Sequence, residues 1–299
     1  MVRFKGNNLR KYKSKYLTKH MEKTSKHISV FLEEAVDLLD VARDQTYLDC
    51  TFGGGGHSRL ILEQSKPTGK VIGLDRDLSA AQYAEALQDE YGERFEFRHL
   101  SYDRLDELNL EFDGIVFDLG FSSDQLESSG RGFSFMQTEP LDLRYDDRGG
   151  QTASQLLSQS TPDRLVRIFQ TYAEDRYTKS LVRKIVDSRR QQPIRTTTDF
   201  VQLVGTKQPS VLAPLFQAMR IEVNDELSTL ERGLAKAKAA LRTGGRLVVI
   251  SFHSLEDRIV KEFMRGQMKV ITKKPISPTE IEIKSNPRAR SAKLRAAIK

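Results

Sequence analysis

Three stretches of this sequence combine residue types that ordinary packing does not require. The first, Asp49-Cys50-Thr51-Phe52-Gly53-Gly54-Gly55-Gly56-His57, reads as a strand end, a glycine turn and a helix start. Missing side chains let a ligand approach the backbone, and the helix start offers N–H groups to it. The second is Asp75, closing an apolar run about 20 residues beyond the loop, where a carboxylate can bind ribose hydroxyls. The third is Asp118-Leu119-Gly120-Phe121, after the apolar residues 114–117. An exocyclic base amine is a poor nucleophile because its lone pair is delocalised into the ring. A carboxylate accepting its N–H groups can orient that lone pair toward an electrophilic methyl and help remove the proton. An aromatic beside it can stack on an extruded base. Asp118 reads equally as a cofactor contact or a loop N-cap.

The glycine loop and Asp75 together fit a nucleoside-containing cofactor. A G-x-G-x-x-G dinucleotide fingerprint starting at Gly53 needs glycine at 58, which is Ser58; starting at Gly54 it needs glycine at 59, which is Arg59. Both frames fail, which favours S-adenosylmethionine over a nicotinamide. His57 is expected to act through its backbone N–H. His253 follows another apolar run and reads as structural or catalytic. Five histidines and one cysteine, widely spaced, predict no metal site. Phe133 and Phe135 are candidates for core packing or base stacking, and Arg144 for phosphate or for pairing with Asp142 or Asp146.

These residues need elements to position them. Helical spacing covers residues 31–40, 57–64 and 78–91, and strand-like runs cover 46–50, 70–74, 95–99 and 114–117. Such alternation predicts βαβ units and a parallel sheet, whose ligands bind beyond the strands' carboxyl ends. The strand signal then disappears. Residues 123–150 are polar, and helical stretches follow near 152–158, 162–173, 175–191 and 197–204. A long amphipathic stretch, 216–242, leads through Gly244-Gly245 to a strand at 246–251 and a helix over 254–265 capped by Ser254 with Asp257. The predicted class is α/β: a discontinuous domain, 28–122 and 219–299, carrying a helical insert, 123–218.

Charge divides unevenly along the chain. Its 299 residues carry a formal net charge of +7, yet residues 1–27 hold +8 and residues 284–299 hold +6, leaving −7 for the body. Both ends read as solvated basic segments, and the N-terminal arm adds Phe4, Tyr12 and Tyr16, which can stack on unpaired bases. A single cysteine excludes an internal disulfide framework. With no apolar run of about 18 residues and no signal-peptide pattern, a cytoplasmic protein without membrane contact is expected.

The chain resembles the RsmH (MraW) family of small-subunit (16S) rRNA (cytosine-N4)-methyltransferases from His27 to about Ile298. Six strings carry the likeness: Asp49 through Ser58; Asp113 through Ser123; Arg131-Gly132-Phe133-Ser134-Phe135; Arg220 through Leu227; Ile250 through Arg258; and Asn286 through Arg295. The resemblance implies a Rossmann-like methyltransferase fold, with S-adenosyl-L-methionine contacts by Gly55, Gly56, His57, Asp75, Tyr102, Asp118 and Gln125. It further implies Asp118 as the catalytic residue, a target cytidine in the decoding centre, and an insert helping to recognise rRNA. An assembled small ribosomal subunit is the expected substrate, and a homodimer is one assembly it allows. Departures are His27-Ile28-Ser29-Val30, Ser122-Ser123-Asp124-Gln125 and Ser210-Val211-Leu212-Ala213-Pro214, where the family has H-x-P-V, S-S-P-Q and H-P-A-T-R. The last bears on RNA contacts at the insert's exit. A non-catalytic rRNA-binding or assembly factor and a DNA amino-methyltransferase are the alternative functions.

Overall fold

Short runs of β-branched and aromatic residues separated by amphipathic helices build one seven-stranded sheet in the computed structural model, which describes residues 29–120, 130–173 and 178–299. The basic arm and Gln125 lie outside the described residues. Strands β1 (Thr46–Asp49), β2 (Lys70–Asp75), β3 (Phe95–His99), β4 (Phe112–Asp118) and β5 (Leu241–Ser251) run parallel. Strands β6 (Lys269–Val270) and β7 (Lys293–Ile298) close the sheet, β7 antiparallel to both β5 and β6, in the order β3-β2-β1-β4-β5-β7-β6. Chain order reverses between β1 and β4, which opens a crevice at their carboxyl ends.

Helices cover both faces, so the strands are apolar on both sides. Along β4 and β5, Val116, Val248 and Ile250 join a cluster with Phe31, Leu39 and Leu62. Their neighbours Ile115, Phe117, Leu247 and Val249 join one with Leu234 and Met264 on the opposite face. The first face carries α1 (Leu32–Leu39), α2 (Gly56–Gln64) and α3 (Ala81–Tyr91). A third cluster, around Leu165, Phe169, Phe200 and Phe216, forms within α4 (Ala153–Gln159), α5 (Pro162–Tyr172), α6 (Thr178–Gln191), α7 (Thr197–Val204) and α8 (Pro209–Asn224). Thr152 with Gln155 and Thr196 with Asp199 form capping boxes that start α4 and α7.

Three sequence expectations are corrected. The stretch 216–242 is not one helix. It comprises the end of α8 and α9 (Glu226–Ala240), separated by Asp225 in the left-handed region at φ 48°. Asn224 holds the break, donating to the carbonyls of Leu143 and Arg220. The helix after β5, α10 (Ser254–Gln267), is capped by His253 with Glu256, not by Ser254 with Asp257. His253 Nδ1 accepts from the Glu256 N–H, and the Glu256 carboxylate accepts from His253 N. Asp257 instead binds Arg295, with Nε–Oδ1 2.7 Å, and Lys293. Burial alone would raise the Asp257 carboxyl; Arg295 and Lys293 hold it below its ordinary range. The end of the chain is therefore not a solvated tail: α11 (Glu280–Ser285) and a short turn precede β7, which lies inside the sheet.

Candidate active site

Asp49, at the carboxyl end of β1, is buried and accepts from Ser58 Oγ at 2.7 Å and from Thr51 N at 3.2 Å. Burial, opposed by those hydrogen bonds, pushes its carboxyl up to about 6. Thr51 Oγ1 accepts the Asp118 N–H at 2.6 Å, tying the end of β4 to the loop. Gly55 caps α2 at φ 76°, and a Cβ there would sit 2.8 Å from the Phe52 ring. The loop is thus packed on its own aromatic, in a conformation that favours glycine. One oxygen of Asp75 accepts from Gly53 N at 2.9 Å and the other from Asp77 N at 2.8 Å. The β2 carboxylate therefore anchors the turn it faces, and burial raises its pKa.

A cavity of about 1090 Å³, open mouth included, lies over these strand ends. Gly53, His57, Asp75, Tyr102 and Asp118 line it. Gly55 and Gly56 do not; they form the turn behind it, where a Cβ on Gly56 would meet Ser29 Oγ at 2.2 Å. Tyr102 packs edge-on against Phe117 at 5.3 Å, an approach that Gly233 of α9 permits. The sequence assigned His57 a backbone role, but its buried ring also lies against Asp118, with Nδ1 3.9 Å from Oδ2. Asp118 Oδ1 is buried and makes no hydrogen bond among the described residues. Burial, reinforced by Asp49 and Glu256, pushes the Asp118 carboxyl well above the usual carboxylate range.

Several lining residues carried no assigned role. Glu226 and Glu256 reach the cavity from the first turns of α9 and α10, and Phe252 from the end of β5. Arg220 and Glu226 form a buried bidentate pair, at 2.7 and 3.0 Å. Tyr145 arrives from the loop before α4, stacked under the Arg76 guanidinium at 3.9 Å and fixed by its N–H to Asn224 Oδ1. Glu226, His253 and Glu256 bring possible ligand atoms within 4.8 Å of one another, but the Arg220 guanidinium already supplies a cation to Glu226. Phe133 is buried, stacked on Tyr145 at 5.4 Å, and Phe135 packs on Phe216 at 5.5 Å. Arg144 pairs with Asp142, while Asp146 pairs with Arg148.

Comparison with known proteins points the same way as the residues. The model of the MraW methylase family matches residues 24–299. A relative from Cyanothece sp. (strain PCC 7425 / ATCC 29141), named ribosomal RNA small subunit methyltransferase H, is 46% identical over 279 residues, covering 91% of this chain and 94% of the relative. One of the same name from Syntrophotalea carbinolica is 41% identical over 303 residues, covering 90% and 96%.

Proposed function

The chain belongs to the MraW methylase family, and from that premise we propose that it transfers a methyl group from S-adenosylmethionine to N4 of a cytidine in small-subunit rRNA. The observation that carries this reading is Asp118, a carboxylate with one oxygen buried, facing a cavity built by a glycine turn and a second strand-end carboxylate. The cofactor supplies an electrophilic methyl on a cationic sulfonium. The residues present suit it: Asp49, Asp75, Asp118 and Glu256 surround or line the cavity, and the repulsion that helps raise Asp49 and Asp118 eases when a cation enters. In this reading Asp75 holds the ribose, Tyr102 packs on the adenine, and Gly55, Gly56 and His57 shape the turn against the methionine half.

Asp118 does the positioning. Its carboxylate accepts the N–H hydrogen bonds of the exocyclic amine and so turns the nitrogen lone pair away from the ring system and toward the methyl. Methyl transfer from the bound cofactor would leave a surplus proton on the amine nitrogen, and the same carboxylate would accept it. That requires Asp118 to be ionised, which burial first and then Asp49 and Glu256 oppose, and which a cation in the cavity favours. His57 stands behind it, with Nδ1 3.9 Å from Oδ2.

The helical unit between β4 and β5 is proposed to recognise RNA. An assembled small subunit in the cytoplasm is the proposed setting, with a homodimer as the form to check by sedimentation. The deciding assay is methyl incorporation into small subunits lacking the modification, run beside naked rRNA and DNA. Asp118→Ala is expected to lower kcat by about 100-fold or more. No transfer to any cytidine by the unsubstituted protein, with cofactor binding confirmed, would refute the reading.

A further inference from the structure

A second pocket opens beside the cofactor cavity, and Gly120 and Phe252 line both. Its walls are apolar. Phe135 and Phe216, with centroids 5.5 Å apart, form one side, and Phe133 and Leu143 extend it. Asn286, Arg288 and Ser291, from the turn before β7, bring polar groups to the same space, and Ala213 and Gln217 of α8 border it. The pocket thus lies where the helical cluster meets the sheet. Of the six strings quoted above, two build the glycine turn and the Asp118 strand end. Each of the other four sends at least one side chain here: Phe133 and Phe135, Arg220, Phe252 and His253, and Asn286, Arg288 and Ser291. Segments far apart in sequence converge on a space that the cofactor cavity does not account for.

We propose that this pocket seats the ring of the target pyrimidine once it has left its stack, with Phe252 as the partition between that ring and the methyl donor. The inference rests on the methyltransferase reading and names its acceptor subsite. An enzyme acting on an exocyclic amine must hold the flipped base by its faces and satisfy its edge. Aromatic walls provide the faces. A cytosine presents acceptors at N3 and O2, which match donors of the Asn, Arg and Ser type rather than carboxylates. Asp118, which takes the amine, is two residues from the shared Gly120, so amine and ring fall on opposite sides of one boundary. Exposed Arg290 beside Arg288 places positive charge near this turn, suited to the nucleotide's phosphate.

The test fills the pocket from two independent, exposed positions. Ala213→Trp enters from α8 and Ser291→Trp from the opposite segment, while Leu110→Trp, exposed in the loop before β4 and lining neither pocket, is the control. Cofactor affinity and methyl transfer to small subunits are measured for all four proteins. Loss of a stacked base predicts a fall in kcat/KM of about 10- to 100-fold in one or both blocked variants, with cofactor affinity and the control unchanged. Wild-type transfer by both blocked variants, or an equal loss in the control, would overturn the proposal. Absence of transfer by the unsubstituted protein would instead refute the function on which it rests.

Discussion

The cavity's acidity has a stability consequence that Asp49→Asn isolates. Asp49 is wholly buried, and its pKa is raised from 3.8 to about 6, by burial first and by neighbouring Asp75 in smaller part. The folded protein therefore binds this proton more tightly than the unfolded chain does. That contribution is complete below pH 3.8 and is lost as pH rises through about 6. A displacement of this size corresponds to roughly 3 kcal/mol, withheld from the ligand-free fold above that window. Asparagine cannot ionise. It keeps an oxygen for the Thr51 N–H, and its amide can donate to Ser58 Oγ, which now donates to Asp49. Urea unfolding of the ligand-free protein should show Asp49→Asn more stable than wild type near pH 8, by up to roughly 3 kcal/mol, with the gap closing toward pH 4. Asp49 also repels Asp75 and Asp118, so the substitution relieves that repulsion as well, and in the same direction as pH rises. A gap that does not vary with pH, or a variant no more stable at pH 8, would refute the reasoning. The same variant should bind S-adenosylmethionine less tightly while affecting its neutral demethylated product less, because it removes a charge and not a shape.

Arg220→Met should cost about 3–5 kcal/mol, because it leaves Glu226 buried without its countercharge. Adding Glu226→Leu should recover most of that loss in denaturant unfolding, and a double variant as unstable as the single one would count against the pairing. Removing residues 1–26, which hold nine basic residues and one acid, should weaken RNA binding and flatten its salt dependence. Cofactor affinity should be unchanged, and equal salt slopes for full and trimmed proteins would show that the arm does not meet the phosphates.

Asp75 and Asp118 were legible because a parallel strand buried on both faces reads as an apolar run, so a carboxylate at its end is conspicuous. Glu226 and Glu256 had no comparable signal. Each opens a helix, where an acid is ordinary, and only the sheet topology brings both to the same cavity. The approach of the His57 ring to Asp118 had no sequence signal for a related reason: its place in the chain announces a helix start, while Asp118 is far away in sequence. The break at Asp225 was hidden because apolar spacing continues across it, although Asn-Asp is a pair that tolerates the left-handed region. Strand β7 was read as a tail because Lys293, Arg295 and Lys299 resemble a solvated segment. Composition shows a charge but not its partner, and Asp257 lies 38 positions from Arg295.

That correction changes what the basic ends can do. Lys293 and Arg295 bind Asp257, and Lys299 donates to the carbonyls of Ala239 and Leu241, so half of the C-terminal charge belongs to the fold. Arg288 lines the second pocket, Lys284 lies on α11, and Arg290 is exposed beside them. The cofactor cavity, by contrast, is ringed by carboxylates, with Arg76 held over Tyr145 and Arg220 held by Glu226. Such a volume attracts a cation and repels a phosphate. A polynucleotide backbone is therefore kept at the rim, and only an uncharged base can pass inward to Asp118. The charge pattern and the pocket require the same thing of the substrate: a nucleotide whose base has left its stack.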